Sequence, residues 1–210
     1  MDIEFYFDPS CPFCWVTSRW LLQVSGERDI NIDWRPFSLA LKNNELEPTS
    51  DESEHAGLHR QSHRVLRVMM AAKNSGAKLI DLYTTSGIKR HVAGFELDDE
   101  HISEMLEENN HSLDIAEAAD DISHDDELKQ YISSATDVAG NDIGVPTIIF
   151  KNENGDKQGF FGPVLQELPG KDEALDLWDG LSKLATTSSF YELKRSRPGG
   201  GPDTASTAKC

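Results

Sequence analysis

The chain opens with an alternation of side chains that is typical of a β-strand. Ile3, Phe5 and Phe7 alternate with Glu4 and Tyr6. A period of two places successive side chains on opposite faces of a sheet. The first seven residues are therefore predicted to form a strand.

A helical period follows, and a second alternation comes after it. Pro12 suits the first turn of a helix, where its missing N–H would have no partner, and Gly26 suits the helix end. The apolar positions between them recur at helical spacing: Val16, Trp20, Leu21 and Val24. The segment INIDWRPF then alternates again. The opening is predicted to be β-α-β.

From about residue 50 to residue 141 the pattern is helical. Apolar stripes run up to Gly76 and Gly87, where glycine favours a helix end. Two later segments, DDEHISEMLEEN and DDELKQYISSATDVAG, begin with acidic residues, which stabilise a helix N-terminus. We expect this whole stretch to be helical.

The last third of the chain predicts a hairpin and a final helix. Thr147 to Phe150 are strand formers, NENGD is a turn, and KQGFF is the returning strand. The helix that follows is predicted to bury one face: Ala174, Leu177, Leu181 and Leu184. From residue 194 the composition is typical of a disordered tail.

The order of elements predicts an α/β protein in which one domain is split by another. We expect a discontinuous thioredoxin-like domain over 1–49 and 142–193, built as β-α-β and β-β-α. A large all-helical insertion over 50–141 separates the two parts, and a disordered tail covers 194–210.

Composition excludes some classes of function. The 210 residues carry 37 acidic and 20 basic side chains, a net charge of −17. A nucleic-acid or anionic-membrane partner needs a basic face, so neither is expected.

The sequence predicts no secretory signal and no membrane span. A cytoplasmic location is expected, with thiols kept reduced. Cys210, in the tail, is interpreted as an incidental exposed thiol.

The segment CPFC places two cysteines between the first strand and the first helix. A structural zinc site needs four ligands, and the only further candidates near one another are His55, His59 and His63. We interpret that row as the partly exposed flank of an apolar stripe, and predict no metal. A stable structural disulfide is not expected in a reducing compartment.

Redox chemistry explains the cysteine pair best. Unpaired N–H groups and the positive end of the helix dipole stabilise a thiolate at Cys11. Cys14, one turn further on, is placed to resolve a mixed disulfide. A C-x-x-C motif within a βαβ pattern is typical of thioredoxin-like proteins. Val145-Pro146, just before the third strand, is predicted to be the cis-proline loop that faces the reactive sulfur.

An acidic stretch needs its own interpretation. Between residues 92 and 128 there are 14 Asp or Glu and no Lys or Arg. Acids that faced the cysteines would oppose the helix dipole. We therefore expect them to form an outward, solvated face.

A resemblance to known proteins is carried by six segments: FDPSCPFCWVTSRWLLQV, SLALKN, GAKLIDLYT, DIGVPTI, FFGPVL and FYELKR. They resemble the DsbA-like branch of the thioredoxin superfamily. More closely, they resemble the actinobacterial mycothiol-dependent nitroreductase family. The chain departs from the common family pattern at Phe13 and Val145, where tryptophan and threonine are frequent.

The resemblance implies a thiol–disulfide oxidoreductase in which Cys11 attacks and Cys14 resolves. It implies mycothiol, a small thiol of actinobacteria, as co-substrate, with no bound cofactor. It also implies that disulfides and some nitro-heterocycles are the compounds reduced. Two alternatives stay open: a DsbA-like protein disulfide oxidoreductase of broad thiol specificity, and a redox-switched binding protein without turnover. A homodimer is compatible with the sequence.

Several further residues are candidates for substrate contact. Phe13 is expected to be exposed between the cysteines, while Trp15 suits either the site or helix packing. The segment Phe161–Pro163 is interpreted as either a site wall or a strand-end turn. The predicted substrate-binding set is Pro12, Phe13, Trp15, Asn43, His91, Val145 and Pro146.

Overall fold

A four-stranded sheet forms the centre of the computed structural model, which describes residues 1–152, 154–197 and 199–208. Its strand order is β2-β1-β3-β4, with β1 parallel to β2 and the other neighbouring pairs antiparallel. The first strand of the chain therefore lies inside the sheet. The prediction for Cys210 lies outside the described residues. The strands are β1 (Asp2–Phe7), β2 (Asn31–Pro36), β3 (Thr147–Lys151) and β4 (Lys157–Phe161).

Helices and helical turns make up the regular structure described between β2 and β3. A π-helical turn, Ile88–Val92, continues α4, and 3-10 turns span Leu113–Asp120 and Ile122–His124. In the described parts of the chain no helix combines the length and apolarity needed to cross a membrane. The helices are α1 (Pro12–Ser25), α2 (Leu39–Lys42), α3 (Ala56–Asn74), α4 (Leu79–Gly87), α5 (Asp99–Glu108), α6 (Asp125–Ala139) and α7 (Lys171–Ala185).

One face of the sheet is apolar and packs against α1, α4 and α7. The ring of Phe7 lies 4.0 Å from that of Tyr83 in α4, measured between centroids. Phe150 of β3 lies 6.0 Å from Trp178 in α7, and Trp20 of α1 lies 6.0 Å from the same indole. Burying each such side chain is worth about 1.5–3 kcal/mol. This face therefore supplies much of the stability and holds α1 in place.

The opposite face contains a buried charge at its centre. Burial raises the pKa of Glu4, but hydrogen bonds from neighbouring donors outweigh it and bring the pKa down to about 2. Arg35, one of those neighbours, also lies over the ring of Tyr131 in α6, 5.8 Å from its centroid. The sheet is thus sandwiched between α6 and the other helices. The side chains around the carboxylate are Tyr6, Arg35, Lys151 and Lys157.

The buried face of α7 differs from the predicted one. Ala174 is buried as expected, but Trp178 and Ala185 join it, while Leu184 is 39% exposed. The face of α7 that carries Trp178 lies toward α1, because the Trp178 ring packs against Trp20. The predicted stripe was wrong at Leu184 because a large aromatic ring decided which face is buried.

Part of the C-terminal segment contacts the rest of the chain. Thr204–Thr207 form a 3-10 turn, and the side chain of Asp203 caps its start. The Ser206 hydroxyl accepts from the N–H of Leu168 at 3.0 Å, and the main-chain carbonyl of Gln166 accepts from the Asp203 N–H. These contacts are made by polar groups, so the low hydrophobicity of the segment does not reveal them.

The acidic stretch is less solvated than expected. Arg64 of α3 pairs with Asp99 at 2.7 Å and with Asp120 at 2.9 Å. Asp125 is buried and pairs with Arg67 at 2.7 Å. The expectation of an outward face is therefore wrong for Asp125, because α3 supplies a cation that the local sequence does not contain.

Candidate active site

The loop between β1 and α1 is fixed by the carboxylate of Asp8, which is fully buried. One oxygen accepts from the N–H and hydroxyl of Ser10, at 2.8 and 2.6 Å, and from the hydroxyl of Ser62 in α3. The other accepts from the N–H of Leu39 at 2.8 Å. Because these donors come from three parts of the chain, the position of Cys11 is set before any ligand binds.

Cys11 and Cys14 lie at the N-terminus of α1, and both are free thiols. The sulfur of Cys11 accepts from the N–H of Cys14 at 3.3 Å and lies 3.6 Å from the carbonyl oxygen of Val145. Cys14 is fully buried; that burial, and then its contact with Cys11, raises its pKa. The sulfur of Cys11 is therefore accessible at the positive end of the α1 dipole, and the sulfur of Cys14 is buried one turn further on.

The peptide between Val145 and Pro146 is cis, as predicted. The carbonyl oxygen of Pro146 accepts from the N–H of Gly162 at 2.8 Å. The hydroxyl of Thr17 in α1 donates to the carbonyl of Pro163 at 2.8 Å. The segment Phe161–Pro163 is thus a turn at the end of β4 that connects the cis-proline loop to α1.

Trp15 lies beneath the cysteines and is only 1% exposed. Its indole N–H donates to the hydroxyl of Thr207 at 2.8 Å, and the Arg19 guanidinium lies 4.1 Å from a ring centroid. Its ring stacks on that of His91, 5.9 Å away. The structure therefore assigns Trp15 to packing, because every side of the indole is already occupied.

His91 contacts the loop that carries Cys11. Its Nε2 lies 2.9 Å from the carbonyl oxygen of Pro9. Burial lowers the pKa of His91 to about 4, so the ring is neutral near pH 7 and donates from Nε2–H. The carbonyl of His91 accepts from the Thr204 hydroxyl at 2.6 Å. His91 therefore joins the C-terminal segment to the active-site loop.

Two predicted contact residues differ from expectation. Phe13 is half-buried, because the guanidinium of Arg197 lies 5.2 Å from its ring centroid. Asn43 caps the end of α2 and donates to Glu45 at 3.4 Å, and its described contacts do not include the cysteines. Pro12 remains at the first position of α1, beside Cys11.

The three histidines of α3 and its start have separate environments. His55 is exposed, while Nδ1 of His59 lies 2.5 Å from a carboxylate oxygen of Glu45. His63 is buried between the hydroxyl of Ser38, 2.9 Å away, and Asp125. Among the residues described, no three His, Cys, Asp or Glu side chains could hold a metal ion together. The expected flank of partly exposed histidines is wrong for His63, which is fixed by buried polar partners.

Some residues around the cysteines were missed by the sequence analysis. Asp8 had a usable signal, because a charged residue directly after a buried strand and before C-x-x-C is unusual. Thr207 and Arg197 had none, since they lie in a segment whose composition predicts disorder. Their proximity to α1 depends on contacts about 190 residues apart in the chain.

The sheet order, the cysteine pair and the cis-proline loop define a DsbA-like thioredoxin fold. The cytosolic disulfide reductase DsbM from Pseudomonas aeruginosa is similar, with a TM-score of 0.59 and 16% identity, covering 88% of this chain and 100% of that one. A probable DsbA oxidoreductase from Streptomyces coelicolor has a TM-score of 0.58 and 16% identity, covering 97% of each chain. The predicted fold class is confirmed.

The chain belongs to the Rv2466c-like family, described as the mycothiol-dependent nitroreductase Rv2466c, whose model matches residues 10–195. It is also similar to the uncharacterized protein Rv2286c of Mycobacterium tuberculosis (strain ATCC 25618 / H37Rv). The identity is 30% over 199 residues, which is 92% of this chain and 81% of the relative. The family predicted from the sequence segments is confirmed.

Proposed function

We propose that this protein uses mycothiol to reduce disulfides, with Cys11 as the nucleophile and Cys14 as the resolving thiol. The observation that carries the proposal is the asymmetry of the two sulfurs. Cys11 is partly exposed at the start of α1 and accepts a hydrogen bond from the Cys14 N–H, whereas the sulfur of Cys14 is buried. The family's description as mycothiol-dependent supports the choice of thiol.

The reaction follows from that asymmetry. The Cys11 thiolate attacks one sulfur of the substrate disulfide, forms a mixed disulfide and expels a thiolate. Cys14 loses its proton to the expelled thiolate or to water and attacks Cys11, which releases the second thiol. Two molecules of mycothiol then reduce the Cys11–Cys14 disulfide and leave as mycothiol disulfide. Since burial raises the pKa of Cys14, Cys14 stays protonated until the mixed disulfide has formed.

The residues that surround the sulfur of Cys11 are the ones that contact the substrate in this proposal. Pro12 and Phe13 border the sulfur on the helix side, and Val145 and Pro146 border it on the loop side. His91 acts as a positioning residue, because it holds the carbonyl of Pro9 rather than facing the sulfur. Trp15 supports the site from below.

Nitro compounds are a second proposed substrate class. Reducing a nitro group to a nitroso group takes two electrons and two protons and releases water. One Cys11–Cys14 dithiol supplies both electrons as it becomes a disulfide. The family's description as a nitroreductase supports this assignment. A reducing cytosol keeps such a dithiol in its reduced form between turnovers.

The test of the proposed function is to trap the mixed disulfide. In a Cys210→Ser background, which removes the third thiol of the chain, Cys14→Ser protein treated with mycothiol disulfide should gain one mycothiol by intact mass spectrometry, and peptide mapping should place it on Cys11. Cys11→Ser is the matched control and should gain none. Adduct formation on both variants, or on neither, would contradict the assignment of nucleophile and resolving thiol.

A second experiment identifies the thiol that supplies the electrons. NADPH-coupled turnover should be fastest with mycothiol and its reductase, and slower with glutathione or thioredoxin systems. Equal or faster turnover with thioredoxin would favour the broad DsbA-like alternative. If no thiol supports turnover, the redox-switched binding protein becomes the better hypothesis.

A further inference from the structure

A cavity lies beside the cysteine pair, and the C-terminal segment forms most of its wall. Its volume is about 450 Å³, and it is lined by Phe13, Ser196, Arg197 and Gly200. Phe13 lies between Cys11 and Cys14 in the chain, so the cavity shares a residue with the cysteine motif. The cavity therefore adjoins the surface that is proposed to contact the substrate.

Arg197 gives this cavity a positive charge. Within residues 1–152, 154–197 and 199–208, its guanidinium carbon lies 5.2 Å from the centroid of the Phe13 ring, and its guanidinium pairs with no carboxylate. Arg64, by contrast, pairs with two aspartates. A guanidinium that lies over an aromatic ring without a carboxylate partner keeps its N–H donors available to a ligand.

The positive charge of Arg197 contrasts with the negative charge of the molecule as a whole. With a net charge of −17, the protein repels anionic substrates, yet three of its 20 basic residues lie within 194–197, at Lys194, Arg195 and Arg197. Of these three residues, Arg197 lines the cavity, so its charge offsets that repulsion there. The family model ends at residue 195, so Arg197 belongs to a part of the wall that the family pattern does not include.

We propose that the cavity of Phe13, Ser196, Arg197 and Gly200 is a binding site for a carboxylate on the disulfide that this enzyme reduces. The planar guanidinium can donate two parallel hydrogen bonds to a carboxylate, and the Phe13 ring packs against the substrate's apolar part. This inference rests on the proposed function, because it names the substrate class of the same site.

The chemistry is the exchange already described. The Cys11 thiolate displaces one carboxylate-bearing thiolate and forms the mixed disulfide, and Cys14 displaces the second. The protein dithiol loses two electrons, the substrate disulfide gains them, and the proton of Cys14 goes to water or to the departing thiolate. Arg197 takes no part in the bond changes and acts through the position and local concentration of the substrate.

The test compares two chromogenic aromatic disulfides with the reduced full-length Cys210→Ser protein in a single turnover, without mycothiol, so that the third thiol of the chain adds nothing to the signal. Dithiobis(nitrobenzoate) carries carboxylates, whereas dithiodipyridine is neutral at neutral pH. Arg197→Gln should slow the reaction with dithiobis(nitrobenzoate) about fivefold, the upper range for an exposed ion pair. It should change the dithiodipyridine rate less than twofold. Roughly 1 M salt, with a Debye length near 3 Å, should remove most of the difference.

Arg195→Gln is the matched control, because it removes the same charge two residues away, and it should leave the ratio of the two rates nearly unchanged. Equal effects of both variants would overturn the proposal in favour of diffuse charge. If Arg197→Gln reacts faster with both disulfides, Arg197 obstructs access to the cysteines, and that result would also overturn the proposal. Since mycothiol is absent, failure of the mycothiol assay leaves this result interpretable.

Discussion

Gly87 is the position where a single methyl group should disturb the active site most. A Cβ atom built there would lie 2.2 Å from two carbon atoms of the Trp15 ring, whereas ordinary contacts begin at 3.4 Å. Gly87→Ala therefore requires the indole to move by about 1.2 Å. The ring has little room for this, because Arg19 and Tyr83 pack against it.

The cost can be worked from these contacts. Overpacking of a dense core costs about 1–3 kcal/mol, and losing the indole bond to Thr207 costs about 1 kcal/mol more. The better helix propensity of alanine returns about 1 kcal/mol. We expect Gly87→Ala to lower the free energy of unfolding by about 2 kcal/mol, measured by urea denaturation with circular dichroism.

Gly180 provides a matched control in α7. It is exposed, and a Cβ atom there would meet no atom within 4 Å. Gly180→Ala should raise the free energy of unfolding by about 0.5–1 kcal/mol. A Gly87→Ala protein as stable as the parent would refute the close packing of Trp15 against α4.

Three further predictions concern the bonds around the site and the sheet. Thr207→Val should cost about 1–3 kcal/mol in urea denaturation, because it leaves the buried indole N–H of Trp15 unpaired; an unchanged midpoint would contradict the contact between Thr207 and Trp15. Glu4→Gln should cost about 1–3 kcal/mol, because it removes charged hydrogen bonds whose cationic partners are partly exposed, and an unchanged free energy of unfolding would contradict the buried carboxylate. Burial lowers the pKa of His91 from 6.5 to about 4, so the unfolded chain binds more protons between those values and stability falls as pH decreases through that window. His91→Asn should reduce this slope between pH 6.5 and 4, and an unchanged slope would contradict the buried neutral ring.

The strands, the main helices and the cysteine motif could be predicted because local patterns determine them. Alternation predicted β1, and Pro12 predicted the start of α1. The cis peptide at Val145-Pro146 was predictable from its place before β3, together with the family resemblance. Each of these signals lies within a few residues of the feature that it predicts.

The features that could not be predicted depend on distant partners. Trp15 follows Cys14 directly, and its contacts with distant residues such as Gly87 and Thr207 show that its ring points into the core. Asp125 lies in a run of acids, and its pairing with Arg67 and His63 explains its burial. The periodicity of a helix does not show which other helix its charged side chains contact. Ion pairs between helices can therefore be identified only in the structure.

The position of β1 in the sheet has a consequence for how the chain folds during synthesis. β1 pairs with β2 about 29 residues later in the chain, but with β3 about 145 residues later. Closing so long a loop is costly in entropy and slow. The helices between β2 and β3 are synthesised before β3. We therefore expect the helical region to become compact while β1 is paired with β2 alone, so that the cysteine site assembles when β3 and its cis-proline loop are added.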